Sequence, residues 1–163
     1  MPNFDPLTYR YSSRRNVVYA KNGVCCTSVP LGAQVGLDVL KNGGNAVDAA
    51  VAMAGAMPLL EPTGNGLGSD CFALVWIEKE KKLYGLNASG VAPMALSADE
   101  VRAKGFSEVP EEGWIPTMVP GAPTGWAALN RRFGTKPLSE LFAPAISYAE
   151  NGYAVPVNVG KLW

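Results

Sequence analysis

LGAQVGLDVLKNGGNAVDAAVAMAGAMPLLEPTGNGLGSDCFALVW, residues 31–76, holds two helix signals, a glycine-rich loop and a strand, and their order decides how the chain folds. From Leu31 to Asn42 the residues Ala33, Leu37 and Leu40 recur with helical period. Pro30 suits the first turn of that helix and Gly43-Gly44 its end. Asn45 followed by Asp48 reads as a cap with an acidic third position, which sets a carboxylate at the positive end of the next helix. That helix, Ala46 to Met57, is apolar on nearly every side, so it must be covered all round and lie between layers, with Pro58 helping to end it.

Outward from this pair, Glu61 to Ser69 (EPTGNGLGS) is too rich in glycine for regular structure, and Asp70 to Glu78 (DCFALVWIE) is a strand pattern. A turn at Lys79 to Lys81 and a returning strand at Lys82 to Leu86 complete an antiparallel hairpin. Its exit, Asn87 to Pro93 (NASGVAP), therefore leaves from the same end as the glycine-rich loop arrives. Ser97 with Glu100 starts a short helix to Lys104, and 105–117 connects without periodicity. Ala122, Trp126, Leu129 and Phe133 share one helical face that Gly134 terminates, and Leu138 to Asn151 is helical with a break or restart at Pro144. Upstream, Asn22 to Ser28 (NGVCCTS) reads as a buried strand, and 1–21 as an irregular lead. Helices layered on an antiparallel sheet make the class α+β, and no linker divides 1–163 into two domains. Beyond Pro156 the residues read as the start of an unfinished element, so a fragment, a processed subunit and a longer chain all stay open.

Apolar residues at 48% and charged residues at 17% place the chain among ordinary globular proteins. Fourteen basic residues balance fourteen acidic ones, so no net field draws in nucleic acid, and the Arg14-Arg15 and Lys79–Lys82 clusters read as solvated turns. The N-terminal stretch lacks the apolar run of a signal peptide, and Ala46 to Leu60 is too short to span a bilayer. Cys25, Cys26 and Cys71 have no metal or redox spacing, so a reducing compartment, the cytoplasm, is the expected location. No histidine is present, which rules out a Ser-His-Asp triad, a Cys-His pair or a His-ligated zinc made from this segment alone. No metal and no cofactor is expected.

The same run resembles the opening of the gamma-glutamyltransferase (gamma-glutamyltranspeptidase) family, most specifically in GGNAVDAAVA, residues 43–52, followed by Glu61-Pro62, a glycine-rich loop and a hydrophobic strand. The likeness continues through VPGAPTGWAALNRRFGTKPLSELFAPAISYAENGYAVP, residues 119–156. This resemblance implies the four-layer αββα sandwich of N-terminal-nucleophile (Ntn) hydrolases, with only its N-terminal portion present. It implies a precursor that cuts itself into a large and a small subunit, the latter being this segment's partner. The nucleophile would be a threonine at the new terminus, outside residues 1–163, with no catalytic residue here. A terminal amine titrates at about 7.7–8.0, so it serves as base without a histidine. The substrate would be a small-molecule amide or a gamma-glutamyl compound such as glutathione; pairing with a second copy stays open.

The resemblance also implies an arginine shortly before Ala-Pro that binds the substrate's α-carboxylate. Aligned on Ala92-Pro93, Ser89 takes its place, and a serine cannot make the two-pronged contact of a guanidinium. The expectation is therefore weak gamma-glutamyl transfer and closer likeness to cephalosporin-acylase-like amide hydrolases, with a non-catalytic binding or structural piece as the runner-up. Asn87, Ser89 and Gly90 are the candidate substrate contacts, or else satisfy their own loop. Thr63, Asn65, Gly66 and Gly68, with Gly64, line a pocket or make only a tight turn. GNGLGS precedes a strand instead of opening a helix, which argues against a phosphate cradle. Cys25 and Cys26 read as core filler, Asp48 as a cap, and Glu61 as structural, with contact to the site as the other reading.

Overall fold

In the computed structural model, which describes residues 17–163, the cap at Asn45 does what its spacing expects. The Asn45 side chain accepts from the backbone N–H of Val47 and Asp48, and the Asp48 carboxylate accepts from the Asn45 N–H. The helices so delimited are α1 (Pro30–Lys41) and α2 (Ala46–Leu60), and the hairpin is β1 (Cys71–Ile77) and β2 (Lys82–Ala88). They are followed by α3 (Ala98–Ala103), α4 (Ala122–Phe133), α5 (Leu138–Asn151) and α6 (Val157–Leu162). Arg14-Arg15 and most of the 1–21 lead lie outside the described residues.

Helix α2 is the centre of the packing, touching α1, α4 and α5, while α4 also lies against both strands. Val51, Ala52, Ala56 and Leu60 of α2 join Val29, Ala122, Trp126 and Leu141 in one core. Trp126 meets Phe142 edge-on at 6.0 Å between ring centres, which ties α4 to α5. A hub of polar contacts closes the start of α2, the end opposite the glycine-rich loop. Asp48, wholly buried, accepts from Thr135 N at 2.9 Å, Thr135 Oγ1 at 2.5 Å and Lys136 N at 3.3 Å, and Asn45 Nδ2 donates to the Phe133 carbonyl at 2.7 Å. The turn after α4 is thus fastened to the start of α2.

Several expectations need correction. The deeply buried face of α1 is Gly32, Val35 and Gly36, while Ala33, Leu37 and Leu40 are only half-buried. The helix turns that way because a Cβ at Gly36 would sit 2.7 Å from Met53 Sδ and 2.9 Å from Cys25 Sγ; glycine there lets α2 and the 25–27 segment come close. Pro58 does not end α2, which runs on to Leu60, and α5 passes through Pro144 unbroken. Each proline removes one helix hydrogen bond, and burial of Leu60 and Leu141 just beyond and just before the two prolines opposes that loss. Asn22–Ser28 is not a strand: Cys25, Thr27 and Val29 turn inward and Cys26 and Ser28 outward, but no described strand runs beside them to form a ladder. Helix α2 is not covered all round either, since Ala46 and Ala50 are exposed in a recess along the free edge of β1.

Candidate functional site

Pairing of Cys71 with Ala88 brings the glycine-rich loop 61–70 and the exit loop 89–93 out of one end of the hairpin. The start of α4 completes this end. Gly121 N and Ala122 N donate to the Ser69 carbonyl at 3.2 and 2.8 Å, and Val119 N donates to the Val91 carbonyl at 3.0 Å. Glycine is obligatory at the crossing: a Cβ on Gly121 would lie 1.9 Å from the Ala88 carbonyl oxygen, and one on Gly90, with φ +78°, 1.9 Å from that of Val119. Ser69 thereby occupies two of the donors at the α4 terminus, and Asn45 with Asp48 occupies those of α2, so neither helix start is free for an anion.

Within this junction Asn87 is exposed and Ser89 half-buried. Asn87 Oδ1 accepts from Ser89 N at 3.0 Å, an Asx turn that shapes the loop, and Ser89 Oγ lies 3.4 Å from the Gly90 carbonyl. Gly64, Asn65 and Gly66 line a separate recess of about 240 Å³ with Ser69 and Asp70, over a floor that includes Met57, Ala122 and Trp126. Thr63 and Gly68 belong to the same loop but stand on its exposed side. Sequence reasoning passed over Ser69, Asp70 and Gly121; the Pro120-Gly121 pair was a turn signal, but nothing local says which backbone it meets. No basic residue occurs in 61–70, 87–93 or 105–122, whereas Glu61 and Asp70 do, so these loops offer neutral polar groups, carboxylates and apolar surface but no cationic donor.

Burial raises the Cys25 and Cys71 thiols above their ordinary range, which suits packing and not nucleophilic attack at neutral pH. Asp48 goes the other way: burial pushes its carboxyl up, but the hydrogen bonds from Thr135, Asn45 and Lys136 outweigh it and hold the carboxyl below its ordinary value. It is a structural anion away from the loops. Among the described residues no three His, Cys, Asp or Glu side chains converge as a metal site would need.

The other face of the hairpin is open. Phe72, Leu74, Trp76 and Leu83 are 64%, 78%, 53% and 56% exposed, while Cys71, Ala73, Val75, Tyr84 and Leu86 alternate with them toward the helices. Nothing in the described residues covers this apolar sheet surface.

Comparison with known proteins places these features. The family model described as gamma-glutamyltranspeptidase matches residues 32–163. The chain is 33% identical over 150 residues to a glutathione hydrolase proenzyme of Bacillus subtilis, covering 89% of this chain and 25% of that protein. Among solved structures it is similar to cephalosporin acylase from Bacillus halodurans, at 58% identity and TM-score 0.88, covering 98% of this chain and 30% of that one. It is also similar to Helicobacter pylori gamma-glutamyltranspeptidase, at 32% identity and TM-score 0.81, covering 89% and 42%. The chain spans about a quarter of the length of the curated relatives it matches. With the family model matching most of this chain and a mixed helix-and-strand fold shared with these enzymes, the chain belongs to the gamma-glutamyltranspeptidase family.

Proposed function

We propose that residues 1–163 form the N-terminal, large-subunit part of an Ntn-type amide hydrolase or acyltransferase that cleaves itself, with its threonine nucleophile outside this segment. The observation that carries this reading is the half-finished sheet: one face packs on helices and the other exposes Phe72, Leu74, Trp76 and Leu83. A two-stranded sheet with a bare apolar face is marginal by itself, and an exposed surface of this kind marks an interface. A second sheet from the remainder of the protein, backed by its own helices, completes the αββα sandwich. The recess along the β1 edge, floored by Ala46 and Ala50 of α2, fits an added strand by the same logic. The name proenzyme carried by relatives says that they are made as precursors, which supports a processing step in the complete protein.

Between gamma-glutamyl compounds and cephalosporin side-chain amides, the latter are the substrate reading favoured by Ser89 and by the lack of any basic residue in the three loops at this end. A carboxylate brought there meets no cationic side chain from these loops. The cytoplasm remains the proposed location, supported by three cysteines that stay unpaired. The deciding assay gives the complete protein a gamma-glutamyl anilide and an N-acyl cephalosporin side by side. This reading expects amide hydrolysis with the cephalosporin preferred. Efficient gamma-glutamyl transfer would overturn the specificity, and no hydrolysis of either would leave the non-catalytic reading.

A further inference from the structure

We infer that Glu61 is a positioning residue that sets the hydrogen-bonding character of the recess beside the glycine-rich loop, an inference that rests on the amide-hydrolase reading above. Glu61 closes α2, its N–H donating to the Met57 carbonyl at 2.8 Å. Its own carbonyl accepts from Gly64 N at 3.2 Å and Asn65 N at 3.1 Å, which folds the first half of the loop back over the helix end. Its side chain does two further things through one atom: Oε2 accepts from Asn65 Nδ2 at 3.0 Å and from Ser28 Oγ at 2.6 Å. The helix end, the loop and the segment leading into α1 are joined at one carboxylate.

The consequence for the recess lies in Asn65. Its Nδ2 also donates to the Glu61 carbonyl at 3.3 Å. Both Glu61 groups are acceptors only, so the Asn65 amide must turn its NH2 toward Glu61 and its oxygen away. Asn65 is a wall of the recess, next to Ser69 and Asp70, above the apolar floor of Met57, Pro58 and Trp126. The recess therefore has along one side the Asn65 amide with its oxygen turned from Glu61, the Ser69 hydroxyl and the Asp70 carboxylate, with no cationic group among them. That is a site for an acyl group carrying an N–H donor on an apolar body, and it disfavours a carboxylate. The rest of the loop leaves room for such a group. It is anchored at its far end by the Ser69 carbonyl on α4, and a Cβ at Gly64 or Gly68 would meet nothing within 4 Å.

The test uses the complete protein and whichever of the gamma-glutamyl anilide or the N-acyl cephalosporin the wild type hydrolyses. In Glu61→Ala, KM is expected to rise about tenfold, the worth of one oriented hydrogen bond, with kcat and self-cleavage unchanged. Hydrogen exchange at the 64–66 amides should quicken. Glu61→Gln, whose amide oxygen still accepts from Ser28 and Asn65, should restore both KM and exchange protection, and Ser28→Ala should show a smaller rise in KM. An unchanged KM in Glu61→Ala overturns the proposal. So does a loss of folding or self-cleavage in Glu61→Ala that Glu61→Gln shares, because that describes a structural role alone. A wild type that hydrolyses neither amide overturns the functional reading and the recess's role with it, a result distinct from an active wild type indifferent to Glu61.

Discussion

Replacing Asp48 with asparagine should destabilise the protein more than its single changed atom implies. The wild-type carboxylate is fully buried and receives hydrogen from Asn45 N, Thr135 N, Thr135 Oγ1 and Lys136 N. Asparagine keeps one acceptor oxygen and turns the other into an NH2 group facing donors. Charge-assisted bonds contribute about 1.5–3 kcal/mol each against about 0.5–1.5 for neutral ones, and a stranded donor costs about 1–3 kcal/mol. Allowing for shared and relaxed contacts, the loss should be about 3 kcal/mol at pH 7. The pH dependence gives a second check. Because the folded-state carboxyl is held below its ordinary value, the stabilisation is complete above the unfolded value of about 3.9 and disappears as pH falls through the lower folded value. Urea unfolding of wild type and Asp48→Asn at pH 7 and pH 3 should therefore show a gap that narrows in acid. A gap under about 1 kcal/mol at pH 7, or one independent of pH, would refute the assignment of Asp48 as the anion holding α2 to the α4–α5 turn.

Gly121→Ala should destabilise by about 3 kcal/mol or more, because its Cβ collides with the Ala88 backbone and not with a movable side chain; thermal unfolding reads this out. Gly55→Ala should also destabilise, by about 1–3 kcal/mol in the same assay, since the Phe142 ring at 2.5 Å outweighs the helix propensity gained. Ser89→Arg in the complete protein should lower KM for a gamma-glutamyl anilide by about tenfold, one charge-assisted contact to the α-carboxylate, with little change for an uncharged acyl amide. Leu74→Lys with Trp76→Glu should improve the solubility of the isolated segment but impair assembly of the complete protein, as size-exclusion chromatography will show.

The parts of the fold that the sequence revealed are those governed by near neighbours. Asn45 and Asp48 announce a cap because the bonds they make span three residues, and the run from Asp70 to Glu78 is so rich in apolar and β-forming residues that it reads as a strand whichever partner it meets. The misreadings share a cause in distant contacts. Pro58 and Pro144 are local breakers, yet Leu60 and Leu141, buried against other helices, keep both helices intact. Gly32 and Gly36 look like weak helix positions until the Met53 and Met57 side chains that fill the space above them are seen. The strand expected at 22–28 has the inward and outward alternation of a strand but no described ladder partner. At the candidate site the two loops could be placed at one end from the hairpin alone. Their closure by Gly121 and the grip of Glu61 on Ser28 join residues 52 and 33 positions apart, and no local pattern encodes such pairs.

The most direct test is the intact mass of the complete protein after expression, together with the sequence of any new terminus. Two chains, the smaller beginning with threonine and the larger containing residues 1–163, are the expected result. A single uncut chain that also fails to hydrolyse amides would contradict the claim that this segment is half of a self-processing amide hydrolase.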